Sequence, residues 1–422
     1  MSYKATALMA AAALTLAACG GSGDEQAATP PEVQSEAVAA DAQPPDSATQ
    51  FVAMVRDAPP LGLPPAPVPE DNPVTAEKVA LGEVLFNDAR FSSTGDVSCA
   101  TCHDQAKAFT DGPLAVSEGI DKLTGTRNAP TIINAAYLTS QFWDGRRPSL
   151  EEQSGDPFLN PVEMNLPNHD AILDIVRNDD AYAALFENAF GVSGPAITMD
   201  HVKKAIASFE RVVISGDSPF DRWHFGGDET AISEQAKRGF EVFIADGRCV
   251  SCHTISQTHA LFTDNKFHNL GIGFSRIDKD TGVVVGEFLR VAQTDQAVDE
   301  AVLGDVKISE IGRFAVSREM QDIGQFKTPT LRNIAATAPY MHDGSLRTLR
   351  EVVEFYNTTI SPLEDQNQDP NPFQSGGIRP LNLSEQQIDD LVAFLETLTS
   401  PEFEAAARAS LARQAAIAGG QK

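Results

Sequence analysis

Apolar residues return with a helical period in several stretches of the chain. Asp180 to Phe190 sets Tyr182, Leu185, Phe186, Ala189 and Phe190 on one face, and His201 to Val213 does the same with Val202, Ile206, Phe209 and Val213. Thr348 and Glu351 form the pattern of a capping box ahead of Leu349, Val352, Val353 and Tyr356. Ser384 and Gln387 repeat it ahead of Ile388, Leu391, Val392, Leu395 and Leu398. Two shorter runs echo each other, Gly82-Glu83-Val84-Leu85-Phe86 and Gly239-Phe240-Glu241-Val242-Phe243, and each reads as the end of a helix. Between the helices lie long stretches rich in Gly, Pro and Asn, at 104–168 and 255–345. Loops this long inside a compact domain are functional or wrap a bound group more often than not. With β-branched runs short, the pattern predicts a mainly α protein with long loops and little β structure.

The first residues follow another pattern. Lys4 precedes an apolar run from Ala5 to Ala18 that is too short to span a bilayer, so residues 1–18 read as a signal peptide. The run ends Leu16-Ala17-Ala18-Cys19-Gly20, which resembles a bacterial lipobox and makes Cys19 the expected lipidation site. An ordinary secretory signal with an incidental cysteine is the other reading. Both place the mature chain in the periplasm, and the first attaches it to a membrane through lipid alone. Residues 19–72, rich in Ala, Pro, Ser, Gln and acids, read as a lipid-anchored flexible tether, because such a segment buries too little apolar surface to fold. The remainder divides near Gly226 to Ile232 into domains at 73–228 and 229–402, with a C-terminal tail at 403–422. A formal net charge of −27 excludes an electrostatic nucleic-acid binder and disfavours docking on an anionic membrane.

Beyond Cys19, the cysteines are Cys99, Cys102, Cys249 and Cys252. They fall in Cys99-Ala100-Thr101-Cys102-His103 and Cys249-Val250-Ser251-Cys252-His253, so the c-type haem attachment signature occurs twice. Two thiols three positions apart on one helical turn reach both vinyl groups of a single porphyrin, and the next residue presents its imidazole to the iron. Zinc and thiol-redox sites also use Cys-x-x-Cys, but the adjacent His and the export signal argue against them. Two covalently bound c-type haems are expected, one in each domain, with His103 and His253 as iron ligands.

Five further blocks extend the pattern: Gly125-Thr126-Arg127-Asn128-Ala129-Pro130-Thr131, Gln141-Phe142-Trp143-Asp144-Gly145-Arg146, Pro161-Val162-Glu163-Met164, Lys327-Thr328-Pro329-Thr330-Leu331-Arg332-Asn333 and Ala338-Pro339-Tyr340-Met341-His342-Asp343-Gly344. In this order, with the haem motifs, they resemble the bacterial dihaem cytochrome c peroxidase and MauG family from about Thr75 to Pro401. The resemblance implies two cytochrome-c-like domains packed together. It implies that hydrogen peroxide reacts at the N-terminal haem, and that the C-terminal haem relays electrons from a small cytochrome c or cupredoxin. By motif, Glu163 is the acid–base residue over the N-terminal haem, Gln153 lies beside it, and Trp143 lies between the haems. A calcium ion between the domains is expected on Asn128, Thr337 and Pro339, the last two through backbone carbonyls. One carboxylate near the iron can take the proton from the inner peroxide oxygen and return it to the outer one, and an oxygen-rich set suits a hard cation. On their own, Glu163 reads as an exposed carboxylate, Trp143 as a core aromatic and Asn128 as a loop cap.

Two positions depart from the reductively activated peroxidases. Ile120 stands where a loop His ligates the resting N-terminal haem in those enzymes, and no His occurs between His103 and His169. Tyr356 stands where they have a Met ligand for the C-terminal haem, as in the MauG branch; Met341 and Met320 are alternative ligands, and His169 an alternative residue for closing the first haem. Tyr356 also continues an apolar helical stripe, which makes a core tyrosine the plain alternative. The leading expectation is a periplasmic dihaem peroxidase reducing hydrogen peroxide to water. Its alternatives are a MauG-type oxidase that modifies side chains of a partner protein and a dihaem cytochrome that only transfers electrons. A homodimer is compatible with the sequence.

Overall fold

In the computed structural model, which describes residues 46–359 and 371–420, short capped helices alternate with long irregular loops. The expected signal peptide and Cys19 lie outside the described residues. The end of the expected tether does not behave as one. Asp46–Arg56 is a helix, α1, Val55 is fully buried, and Leu63 and Ala66 are buried in the same cluster. The low average hydropathy of 19–72 conceals these few apolar residues, which suffice to seat the segment on the fold.

The first half is built from α2 (Ala76–Asn87), α3 (Cys99–Cys102), α4 (Leu150–Gln153), α5 (Asp170–Asn178), α6 (Asp180–Phe190) and α7 (Met199–Val212). A short α8 (Pro219–His224) leads into α9 (Glu234–Ile244). The expected helices are present: α6 has the bounds read from the sequence, and α7 starts two residues early at Met199, behind the Thr198 cap. Helix α2 packs on α7 at Gly82, where a Cβ would lie 2.0 Å from the Ala205 carbonyl oxygen. Such an approach admits only a residue without a Cβ.

The stretch 255–345 is less irregular than its composition suggests. It contains α10 (Thr281–Val291), α11 (Asp295–Gly304), α12 (Val306–Ser309) and α13 (Phe314–Ser317). Val284, Val285 and Phe288 meet Val298, Val302, Ile311 and Phe314 in a core of their own. The strands β1 (Phe267–His268) and β2 (Phe326–Lys327) flank this insertion and pair antiparallel, Phe267 with Lys327 and His268 with Phe326. They are the whole of the sheet structure among the described residues.

The second half closes with α14 (Leu349–Glu354), α15 (Glu385–Glu396) and α16 (Glu404–Ala418). Both predicted capping boxes form: Thr348 Oγ1 accepts from Glu351 N at 3.0 Å, and Ser384 Oγ from Gln387 N at 3.4 Å. Gly239 of α9 crosses α15 as Gly82 crosses α7, with a Cβ position 1.9 Å from the Asp390 carbonyl oxygen. The tail at 403–422 is largely helical and docked: Gln414 of α16 is buried, accepts from Leu349 N at 2.9 Å and donates to Tyr340 Oη at 3.1 Å. The architecture is thus mainly α, two cytochrome-c-like haem domains packed together, and no described helix is long and apolar enough to cross a membrane.

Candidate functional site

A single cavity of about 880 Å³ runs through the centre, and both Cys-x-x-Cys-His motifs open onto it. Cys99 starts α3 behind a Ser98–Thr101 capping box, so one helical turn carries both thiols and leaves His103 at its end. Cys249 to Ser251 forms a tighter 3₁₀ turn to the same effect. His103 Nδ1 lies 3.2 Å from the Phe109 carbonyl and His253 Nδ1 lies 2.8 Å from the Phe262 carbonyl. Those bonds put the proton on Nδ1 and leave Nε2 with its lone pair, the state an iron ligand needs. Burial holds both imidazoles below their ordinary pKa, hence neutral. Burial also pushes the Cys102 and Cys249 thiols up to about 12, so neither is a reactive thiolate of the redox-motif kind, whereas a hydrogen bond with His268 lowers the Cys252 thiol. Four thiols, two neutral imidazoles and one large apolar-lined cavity fit two covalently attached haems.

Beside the first motif the cavity wall is the loop that follows α4. Gln153, Pro157 and Glu163 line it. Glu163 is anchored by its backbone: its N–H donates to Asn160 O at 3.1 Å, and its carbonyl accepts from Ile120 N at 2.9 Å. Gly119 makes this possible, since a Cβ there would lie 2.2 Å from Val162 O. Ile120 is buried and does not line the cavity, so the position that departs from the His-bearing peroxidases braces Glu163 from behind. Desolvation raises the Glu163 carboxyl to about 7; Arg146 opposes the shift, while Asp299 and Asp156 add to it.

Trp143 connects the halves. Its indole N–H donates to Asn128 O at 2.9 Å, and its carbonyl accepts from Lys327 N at 2.8 Å. Asn128 N in turn donates to His342 O at 2.8 Å, and the Asn128 amide N–H₂ to Ala115 O at 3.1 Å. Thr337 and Pro339 line the same cavity as Asn128. On the second motif's side, α14 widens into a π-helical turn, Phe355–Thr359, which brings Tyr356 to the cavity wall. Single π turns recur at functional sites. Burial, with Cys249 and Cys252 next in effect, raises the Tyr356 phenol well above its ordinary value. Of the alternative ligands, Met341 lines the cavity, whereas Met320 is exposed, and His169 is hydrogen-bonded to Gly155 O at 3.0 Å away from it.

Sequence reasoning missed three cavity residues. Lys327 is buried, donates from Nζ to Ser140 O at 2.7 Å, and is brought down to about 7 by burial. Glu210 of α7 is buried with Oε2 unpaired, and burial raises it to about 8. His268 is raised to about 9, first by its hydrogen bond with Cys252 and then by its pairing with Asp264 at 2.9 Å. Lys327 belongs to one of the sequence blocks, so a signal was present; Glu210 looks like an ordinary helical acid until its neighbours are known.

The family model described as di-haem cytochrome c peroxidase matches residues 76–230. The methylamine utilization protein MauG of Methylorubrum extorquens is 38% identical over 332 residues, covering 79% of this chain and 81% of that protein. The cytochrome-c peroxidase IdrP1 of Denitromonas iodatirespirans is 36% identical over 351 residues, covering 82% and 87%. Among solved structures, a MauG-like protein associated with microbial copper homeostasis matches with a TM-score of 0.66 at 32% identity, covering 82% of this chain and 97% of that one. The chain belongs to the di-haem cytochrome c peroxidase family. Membership implies two c-type haems and an oxidoreductase that acts on peroxide.

Proposed function

We propose that this chain is a periplasmic peroxidase, attached to a membrane through Cys19, that reduces hydrogen peroxide to water with electrons from a small cytochrome c or cupredoxin. The supporting observation is Glu163, a carboxyl held near neutrality by burial on the wall of the cavity that His103 also lines. Cys99 and Cys102 would hold one haem and His103 its iron; Cys249, Cys252 and His253 would hold the other, with Tyr356 as its second ligand. When bound, the haems supply the iron for peroxide binding and the storage of electrons. Glu163 takes the proton from the inner peroxide oxygen and returns it to the outer one, which then leaves as water. A carboxyl with a pKa near 7 performs both transfers at neutral pH. The Gln153 amide, on the same wall, orients the peroxide. Trp143 bridges the halves through its bonds to Asn128 and Lys327 and lies on the electron path. Calcium would be held by the Asn128 amide oxygen and the Thr337 and Pro339 carbonyls, fixing one half against the other.

A second reading, MauG-type oxidation of a partner protein's side chains, is favoured by Tyr356 at the cavity wall and by Ile120 away from it. Both readings expect an open first site. Mixing the fully oxidised holoprotein with hydrogen peroxide in a stopped-flow instrument tests this: rapid change of the Soret band without reductant is expected. An oxidised form that stays inert until one electron is added overturns the open site. Steady turnover of peroxide with reduced cytochrome c then separates the peroxidase from the protein-modifying oxidase, which shows no such turnover.

A further inference from the structure

The loop from Gln153 to Glu163 has cavities on both sides. Pro157 and Glu163 face the large one, while Asp156 and Asn160 face a separate cleft of about 160 Å³, closed by Asp295, Asp299 and Glu300 of α11. One ion-pair network crosses this wall. Arg146 lines the large cavity and pairs with Asp299 in the cleft; Arg147 pairs with Asp156 at 2.6 Å and with Asp299 at 2.7 Å. Asn160 is buried with its Nδ2 unpaired, and Asp156 Oδ2, though beside Arg147, has no well-directed hydrogen bond. These are polar atoms in position to seat water. Asp295 and Glu300 are exposed, so the cleft meets solvent at their end.

Peroxide reduction needs such an inlet. In H₂O₂ + 2H⁺ + 2e⁻ → 2H₂O the O–O bond breaks and two new O–H bonds form. The electrons come from the carrier protein, and both added protons come from solvent. Glu163 only moves a proton already on the peroxide, so the two protons that complete the second water have to reach the site from solvent. The large cavity is the cofactors' space, which makes a second approach valuable.

We propose that the α11 cleft is the proton inlet of the peroxide site, with Asp156 collecting protons from solvent and passing them, through water seated on Asn160, to Glu163. The inference rests on the reading of Glu163 as the acid–base group. Asp156 is fitted to relay protons near neutral pH, because burial raises it to about 6, Asp299 adds to the rise, and Arg147 and Arg146 oppose it. The charges facing the pair are Arg146 and Arg147 from the loop before α4, Asp295, Asp299 and Glu300 from α11, and Lys203 of α7, which packs on Gly155.

The test uses the haem-loaded enzyme and two readouts, turnover and proton uptake followed with a pH-indicator dye in a stopped-flow instrument. D156N is expected to lower kcat and the uptake rate together, by about tenfold, a smaller loss than removing the acid–base group itself. KM for peroxide stays unchanged, and D156E recovers most of the rate. Removing the Asp156 charge is also expected to shift the acid limb of the pH profile to lower pH, because that charge helps to raise Glu163. If D156N folds poorly, the exposed pair D295N/E300Q keeps the network intact and is expected to slow uptake in a salt-sensitive way. Wild-type proton uptake in D156N, or in the exposed pair when D156N does not fold, overturns the inlet. E163Q separates the two claims: an unimpaired E163Q removes the reading of Glu163, whereas an inactive E163Q beside a normal D156N removes the inlet alone.

Discussion

The two halves are built on one frame and differ where it meets the cavity. In each, a histidine after the cysteine pair bonds through Nδ1 to a phenylalanine carbonyl, Phe109 or Phe262, and both phenylalanines have positive φ. Thr131 Oγ1 donates to Ala108 O at 2.7 Å, as Thr330 Oγ1 does to Leu261 O at 2.8 Å. Asn134 and Asn333 both turn the chain with φ near +60° before a 3₁₀ turn. Trp143-Asp144-Gly145 sits in a bridge between Gln141 and Arg147, and His342-Asp343-Gly344 in one between Tyr340 and Leu346. The divergence follows a few residues on. Helix α4 stops at Gln153 and releases a loop that brings up Glu163; α14 continues into a π turn that brings up Tyr356. One side receives a buried carboxyl and the other a phenol. In the proposed reading, the division of labour between a reacting and a relaying half depends on where one short helix ends.

The largest test of that contrast is Glu163→Gln. Peroxide turnover is expected to fall by ~100- to 10,000-fold with haem content unchanged. With Glu163 as the proposed base and its carboxyl raised to about 7, wild-type turnover should decline as pH falls through that value. The matching Tyr356→Phe is expected to spare this first step. Next in size is removal of the proposed calcium, which should slow electron transfer between the haems by up to about 100-fold, the cost of an ångström-scale misplacement, and leave both attachments intact. Flash photolysis or pulse radiolysis of a chelated sample checks it. Tyr356→Phe follows. Losing the phenol should raise the second haem's midpoint potential by on the order of 100 mV, within the ~0.8 V that axial ligands span, as spectroelectrochemistry would show. The smallest effect probes what the halves share. Gly82→Ala and Gly239→Ala each drive a Cβ into a backbone carbonyl, and each should cost about 1–3 kcal/mol in thermal unfolding. Unequal losses would mean that the two crossings are not equivalent.

Much of this was readable in advance, for identifiable reasons. The haem motifs and the α14 and α15 capping boxes are local patterns, and local patterns survive folding. The buried place of Glu163 on the cavity wall was legible only through its block, since nothing local distinguishes a buried carboxyl from a solvated one. Helices α10 and α11 were hidden because the Gly- and Pro-rich stretches around them dominated the average. Glu210 and Asp156 owe their character to burial beside other chain segments, Asp156 to residues of α11 far along the sequence. No window on the sequence contains that information.

Arg332 carries a consequence for how the chain is completed. Fully buried, it donates to both carboxylate oxygens of Asp221, to Ala260 O and, at 2.7 Å, to Gly62 O across a separation of 270 residues. A chain made from its N-terminus delivers Gly62 early and Arg332 late. Tyr137, Val212 and Ala260 already hold the opening segment, but Gly62 waits for Arg332 as its latest partner, and contacts this distant in sequence form slowly. Both cysteine pairs, Cys99 with Cys102 and Cys249 with Cys252, emerge before Arg332 does. That order leaves an interval in which both cysteine pairs are present on a chain that Arg332 has not yet closed. The guanidinium is thus a late clasp on a segment made early.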